Sequence, residues 1–180
     1  MIIPALVYLG RFALGVHRMA SKFQNQTCCF TGHRQIPPYE MRNALRKAES
    51  AIRDLYGSGY RYFGVGGALG FDTEIAKLLF RLRTNGLNEL KVILVYPFSG
   101  YNSRWTPAQQ DEFRSLLPQY DKTVCVSDVP GRDAYLARNR HLVNGSSVCI
   151  AYCTDPASGT GYTVRYATEQ GLRVINLAEL

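Results

Sequence analysis

The segment from Lys91 to Tyr96 has the sequence KVILVY, an apolar run without polar alternation. Strands with one face in water alternate apolar and polar residues, whereas strands of a parallel sheet are covered on both faces and are continuously apolar. The segment therefore predicts an interior strand of a parallel sheet. Of the 180 residues, 46% are hydrophobic and 19% are charged, which excludes a disordered chain and suits one domain.

Short apolar runs alternate with segments of helical periodicity on both sides of this strand. The predicted strands cover residues 27–31, 61–65, 91–96, 123–126, 147–152 and 173–176, and the predicted helices cover residues 40–56, 71–82, 106–117, 132–143 and 162–170. Such alternation is typical of an α/β domain. We predict that residues 25–180 form one three-layer, Rossmann-like domain, with a mostly parallel open sheet of about six strands and helices on both faces.

Residues 1–24 differ from the rest of the chain. They contain Arg11, Arg18, Lys22 and no acid, and their longest uncharged run is 10 residues, well short of the roughly 20 that cross a bilayer. We expect an extension outside the fold and no stable membrane insertion. The whole chain has a net charge of +7, but residues 25–180 hold 18 basic and 14 acidic residues, a net charge of only +4.

The 5 cysteines are an odd number, and Cys28, Cys29, Cys125 and Cys149 lie in apolar, strand-like runs. We expect small buried hydrophobic residues in a reducing compartment. Cys153 follows the same strand as Cys149 and could be exposed, but this pair lacks the second Cys or His pair of a structural zinc site, so we expect no metal.

Three segments that follow predicted strands combine glycine with hydroxyl, basic or acidic side chains. They are Thr31-Gly32-His33-Arg34, Gly66-Gly67-Ala68-Leu69-Gly70-Phe71-Asp72 and Ser158-Gly159-Thr160-Gly161-Tyr162-Thr163. Glycine lets backbone N–H groups approach a phosphate, and a helix N-terminus adds its dipole, although tight turns also need glycine for structure alone. Neither glycine-rich turn is a Walker A loop or a G-x-G-x-x-G motif with its acidic partner.

Four polar side chains are candidates for particular roles in a site at these strand ends. Arg34 is an anion-binding candidate, and His33 could bond a ligand or a loop. Asp72 could bind a ribose hydroxyl, pair with a basic residue or cap its helix, and it is a weak catalytic candidate. Asn139 lies on the helical stripe that we expect to face the sheet, which would let Arg138 reach the pocket mouth and clamp a phosphate.

Aromatic side chains follow the third predicted strand. Phe98 and Trp105 could stack on a nucleotide base, or they could pack in the core or a loop.

The chain from Thr27 to the end resembles the YpsA-like branch of the SLOG superfamily, which groups with the molybdenum-cofactor carrier proteins. The resemblance rests on the three strand-end segments, the Trp105 loop and Arg138-Asn139-Arg140. It implies a cytoplasmic bacterial protein that binds a nucleotide or a nucleotide-derived molecule. Related phosphoribohydrolases have a motif with a catalytic Glu. If Thr163 matches the Thr of that motif, Tyr166 occupies the Glu position in this chain, which puts hydrolysis in doubt.

The resulting hypothesis is the binding or sensing of a nucleotide-like, phosphate-bearing small molecule at the strand ends, without an obligatory cofactor. The ligand-binding candidates are Thr31, Gly32, His33, Arg34, Gly66, Gly67, Gly70, Asp72, Arg138, Asn139, Ser158, Gly159, Thr160 and Gly161. The alternatives are an N-glycosidic or phosphate hydrolase, a single-stranded DNA-binding protein and a molybdenum-cofactor carrier. Scattered basic residues make nucleic acid the less favoured partner, and a homo-oligomer stays open.

Overall fold

Six strands alternate with five helices in a computed structural model that describes residues 23–179. The strands are β1 Thr27–Gly32, β2 Tyr62–Val65, β3 Lys91–Tyr96, β4 Lys122–Cys125, β5 Val148–Tyr152 and β6 Arg173–Asn176. The helices are α1 Pro38–Gly57, α2 Phe71–Thr84, α3 Pro107–Leu116, α4 Arg132–Asn144 and α5 Gly159–Glu169. The predicted elements are confirmed, with shifts of a few residues at their ends.

The strands form one open sheet in the order β4-β3-β2-β1-β5-β6, and every neighbouring pair is parallel. The chain moves outward from β1 to β4 and then returns to β5 on the other side of β1. This reversal places a topological switch point between β1 and β5, where open α/β sheets hold their ligands at the carboxyl ends of the strands.

Helices cover both faces of the sheet, so the predicted three-layer, Rossmann-like architecture is confirmed. On one face the buried side chains of α1 and α2 pack against β1, β2, β3 and β5, and on the other face α4 and α5 pack against Cys29, Val95 and Cys149. In β3, Val92 and Leu94 belong to the first layer, whereas Val95 belongs to the second. The apolar run KVILVY is therefore covered on both faces.

The prediction for residues 1–24 falls almost wholly outside the described residues, which begin at Phe23. The ring of Phe23 lies 5.1 Å from that of Tyr62, and the Gln24 side chain donates to the carbonyl of Ser146. Within residues 23–179, no helix is both long enough and apolar enough to span a bilayer.

The predicted burial is confirmed for Cys28, Cys29 and Cys149 and is wrong for Cys125, which is exposed. Cys125 lies in β4, an edge strand that pairs only with β3, so this strand is less covered than the interior strands. Cys153 is buried rather than exposed.

Helix α5 begins at Gly159, three residues before the predicted start at Tyr162. The Ser158 hydroxyl accepts a hydrogen bond from the N–H of Gly161, which caps the helix and draws the glycine segment into its first turn. The backbone of Pro156 packs directly on Gly161, and a Cβ there would collide with the Pro156 carbonyl. At Gly159 the same atom would meet nothing within 4 Å.

The two glycines make a matched pair of variants. We expect Gly161→Ala to lower the free energy of unfolding by about 2 kcal/mol, because the turn at Pro156 must move. Gly159→Ala should be neutral or stabilising by up to about 1 kcal/mol, since Ala favours helix. Urea unfolding of both variants measures the difference, and equal effects would show that the Pro156 contact is unimportant.

Candidate functional site

A cavity of about 660 Å³ opens at the carboxyl ends of β1 and β5, at the switch point of the sheet. Its walls are the turn after β1, part of the segment between β2 and α2, one side of α4 and the first turns of α5. The lining residues are Phe30, Thr31, Gly32, His33, Arg34, Ala68, Asp72, Arg132, Tyr135, Leu136, Arg138, Asn139, Leu142, Ala157, Ser158, Gly159, Thr160, Tyr162, Thr163 and Arg165.

The cavity brings together most of the residues that the sequence nominates. Those that line it are Thr31, Gly32, His33, Arg34, Asp72, Arg138, Asn139, Ser158, Gly159 and Thr160. The nominated residues outside the lining are Gly66, Gly67, Gly70 and Gly161. The glycine-rich segment between β2 and α2 thus contributes Ala68 and Asp72 to the wall, but none of its glycines.

These glycines make room for neighbouring parts of the protein. A Cβ at Gly66 would overlap the guanidinium of Arg138, and one at Gly70, where φ is +78°, would overlap the backbone of Arg34. At Gly67, with φ +63°, the carbonyl accepts a hydrogen bond of 2.7 Å from the Tyr101 hydroxyl. The glycines of this turn therefore allow the elements around the cavity to pack closely.

Arg138 lies deeper than the sequence predicts. The spacing of Ala134, Arg138 and Leu142 places them along one face of α4, and all three are buried, with Arg138 only 8% exposed. Asn139, the predicted sheet-facing residue, is half-buried and points toward α5, where its Nδ2 donates to Thr163 Oγ1 at 2.8 Å. The buried face of α4 therefore includes Arg138 in place of Asn139, one residue away from the predicted face.

The buried guanidinium of Arg138 is held by two partners from the β2–α2 turn. Its Nη1 lies 3.6 Å from Asp72 Oδ2 and also donates to the carbonyl of Gly66. Asp72 Oδ2 accepts in turn from the N–H of Ala68 at 3.3 Å. The buried Nε of Arg138 has no hydrogen-bond partner among residues 23–179. A buried charge needs such partners, so this pair fixes α4 against the turn.

Burial shifts the pKa values of both members of this pair. It raises the pKa of Asp72, although the Arg138 guanidinium and the N–H of Ala68 oppose the rise. Burial likewise lowers the pKa of Arg138, and the Asp72 carboxylate opposes that shift. Each charge therefore favours the ionised form of the other.

Three exposed arginines line the cavity: Arg34 after β1, Arg132 at the first turn of α4, and Arg165 on α5. None takes part in an ion pair within the described part of the chain. Arg165 donates to the carbonyl of Pro156. Arg132 and Arg165 were not predicted from the sequence; the available signal was a basic residue in the first two turns of helices that follow strand ends.

His33 connects the two turns on either side of the switch point. Its Nε2 accepts a hydrogen bond of 3.0 Å from the backbone N–H of Thr154. Because an accepting ring nitrogen carries no proton, the imidazole is neutral in this arrangement. His33 therefore bonds a loop, one of its two predicted roles.

Neither aromatic candidate, Phe98 or Trp105, lines the cavity. Trp105 packs edge-on against Tyr101 and Phe113, with centroid distances of 5.6 Å and 5.7 Å. Phe98 contacts the ring of Tyr135, a lining residue, at 5.6 Å. The rings that border the cavity belong to Phe30, Tyr135 and Tyr162.

Tyr166, which the family resemblance matches to the catalytic Glu of phosphoribohydrolases, does not line the cavity. Its hydroxyl donates to Asn144 Oδ1 at 3.0 Å, and its ring stacks on that of Tyr162 at 6.3 Å. The side chain therefore serves the contact between α4 and α5.

Removal of Arg138 should make the free energy of unfolding of the protein fall, relative to wild type, as the pH rises. Burial already raises the pKa of Asp72, and without the guanidinium that pKa rises further. The folded state of Arg138→Met then binds the Asp72 proton more tightly than the unfolded state does. Its free energy of unfolding should fall, relative to wild type, as pH rises from 4 to 7, by up to about 1.4 kcal/mol per pH unit.

Urea unfolding at several pH values measures this slope. The double variant Asp72→Asn/Arg138→Met is the control, because it lacks the titrating carboxyl and should lose the extra pH dependence. A profile of Arg138→Met that runs parallel to wild type would show that the two residues do not interact across the turn.

Comparisons with known proteins agree with the fold and identify the family. The UPF0398 protein ABC2016 of Shouchella clausii is 26% identical over 82 residues, which are 46% of this chain and 44% of that protein. DNA processing protein A of Helicobacter pylori, which binds single-stranded DNA, is 20% identical and has a TM-score of 0.56, with 84% of this chain and 64% of that chain covered.

The same protein from Streptococcus pneumoniae is 18% identical and has a TM-score of 0.59, with coverage of 84% and 50%. The chain thus spans less than two thirds of each of these relatives, and likeness at such identity shows the fold alone. The family model YpsA, described as the YspA SLOG family, matches residues 39–173. Because this match covers most of the chain, the protein belongs to the YspA SLOG family.

Proposed function

We propose that this protein binds a nucleotide, or a nucleotide-derived small molecule that carries phosphate, in the cavity at the switch point. The observation that carries the proposal is the charge of the lining, which has four arginines and one carboxylate. A cavity of about 660 Å³ is within the range of roughly 300–1,000 Å³ typical of small-molecule sites.

The start of α5 supports an anionic ligand at the same place. Ser158, Gly159 and Thr160 line the cavity at the N-terminus of this helix, where the first backbone N–H groups lack intrahelical acceptors. These donors and the helix dipole favour a phosphate, and the exposed arginines around them add charge-assisted hydrogen bonds. Tyr135 and Tyr162 supply aromatic surface for a base or sugar.

We propose binding without hydrolysis. The single carboxylate in the lining, Asp72, is paired with Arg138 and accepts a backbone hydrogen bond, so its contacts support a structural role. At the aligned position of the hydrolase Glu, Tyr166 bonds Asn144 outside the cavity. A nucleoside monophosphate should therefore remain intact after prolonged incubation with the protein.

Calorimetric titration with nucleoside mono- and diphosphates, ADP-ribose and NAD tests the binding. We expect at least one of these to bind, and Arg34→Gln to weaken it about tenfold through the loss of one charged contact. The matched control is Arg42→Gln, which removes the same charge from an exposed position on α1 outside the cavity. No binding by any of these compounds would contradict the proposal.

Single-stranded DNA is the second candidate ligand. Two observations favour it. The exposed residues Arg34, Arg132 and Arg165, which are scattered in the sequence, lie around one opening. The fold is shared with DNA processing protein A. If these three arginines contact DNA phosphates, the logarithm of the association constant should fall with the logarithm of the salt concentration with a slope of roughly −2.

Fluorescence anisotropy with thymidine oligonucleotides distinguishes the two candidates. Since the primary proposal places one small molecule in the cavity, we expect the affinity not to increase from a thymidine dinucleotide to a dodecamer. An affinity that rises with the length of the oligonucleotide, and that falls with salt concentration at the slope given above, would favour DNA binding instead.

A further inference from the structure

The exposed arginines of the cavity form a local excess of positive charge. Asp72 is the one carboxylate in the lining, and it is paired with the buried Arg138. Arg34, Arg132 and Arg165 form no ion pair in the described part of the chain. The four arginines and one carboxylate of the lining therefore leave an excess of three positive charges around one cavity.

Other arginines and lysines of the domain are often matched by acids. Glu49 pairs with both Arg53 and Arg81, and Asp121 pairs with both Arg83 and Lys91. The excess at the cavity is thus a local feature of the lining and does not follow from the modest net charge of the domain.

The three guanidinium groups also come from three different elements. Arg34 follows β1, Arg132 begins α4 and Arg165 lies on α5, so they approach the cavity from separate walls. A single phosphoryl group carries a charge of about −2 near neutral pH and is usually gripped by one or two such forks. A diphosphate, with a charge of about −3, matches three forks and presents acceptors to more than one wall.

We propose that the site selects ligands with a diphosphate group over the corresponding monophosphates. This inference rests on the proposed function and specifies its ligand class as nucleoside diphosphates. The first phosphoryl group lies at the N-terminus of α5, and the second is bound by the arginines of the opposite walls.

Calorimetric titration with matched pairs of probes tests the selectivity. The probes are inorganic phosphate against pyrophosphate, AMP against ADP, and GMP against GDP, at physiological ionic strength and without divalent cations. We expect each diphosphate to bind about tenfold or more tightly than its monophosphate, the gain that one additional charged contact supplies.

Variants of the lining separate a local effect from general charge attraction. Arg132 is exposed, and no hydrogen bond or ion pair joins its side chain to another of the described residues, so Arg132→Gln should fold normally and reduce the diphosphate preference to about threefold or less. The control Arg42→Gln removes the same charge from α1 and should leave the preference unchanged.

The outcomes distinguish this inference from the proposed function. Equal affinities for AMP and ADP, and for GMP and GDP, would overturn the selectivity while small-molecule binding stands. A preference that Arg132→Gln and Arg42→Gln reduce equally would also overturn it, because the gain would then come from overall charge. Absence of binding by every nucleotide would instead overturn the proposed function.

Discussion

The guanidinium of Arg138 lies buried between α4 and the turn that follows β2, and the walls of the cavity depend on how it is satisfied. Asp72 provides the opposing charge from α2, and the carbonyl of Gly66 in the turn accepts a hydrogen bond from Arg138. An unpaired buried charge would cost several kcal/mol. The position of α4, the start of α2 and the absence of a side chain at Gly66 are therefore mutually dependent.

The buried pair and the exposed arginines have different roles. Arg138 and Asp72 engage each other, so they shape the wall but add little net charge to the cavity. Arg34, Arg132 and Arg165 remain open to solvent and account for its positive character. Because interior contacts set the shape of the cavity, the exposed arginines can be substituted to suit a different ligand with little loss of folding stability.

The fold could be predicted from the sequence because its signals are local. The KVILVY run indicates a strand covered on both faces, and the alternation of strands and helices leads to the parallel sheet and its ligand-bearing edge. The faces of α4 were harder to predict, since a pattern of hydrophobic residues favours Asn139 as the inward polar residue. Burial of Arg138 depends on Asp72, which lies 66 positions earlier in the chain.

Other features of the site also depend on distant parts of the chain. The glycines after β2 suggest a phosphate turn, yet their Cβ positions are taken by Arg138, Leu94 and the Arg34 backbone. Cys125 is exposed because β4 is at the edge of the sheet, a property of strand order that its own sequence does not contain. Arg132 and Arg165 resemble ordinary solvated residues until α4 and α5 are placed side by side.

The parallel pairing of β1 with β5 has a consequence for how the protein is made. Cys28 pairs with Val148, so the two strands that border the cavity are separated by 120 positions and by four intervening helices. Contacts of such long range form late and slowly, after the local units of the chain. Ribosome-bound or partly folded chains that contain only β1 to β4 lack the walls of the cavity that α4 and α5 form. Ligand can therefore stabilise only chains in which β5 has paired with β1.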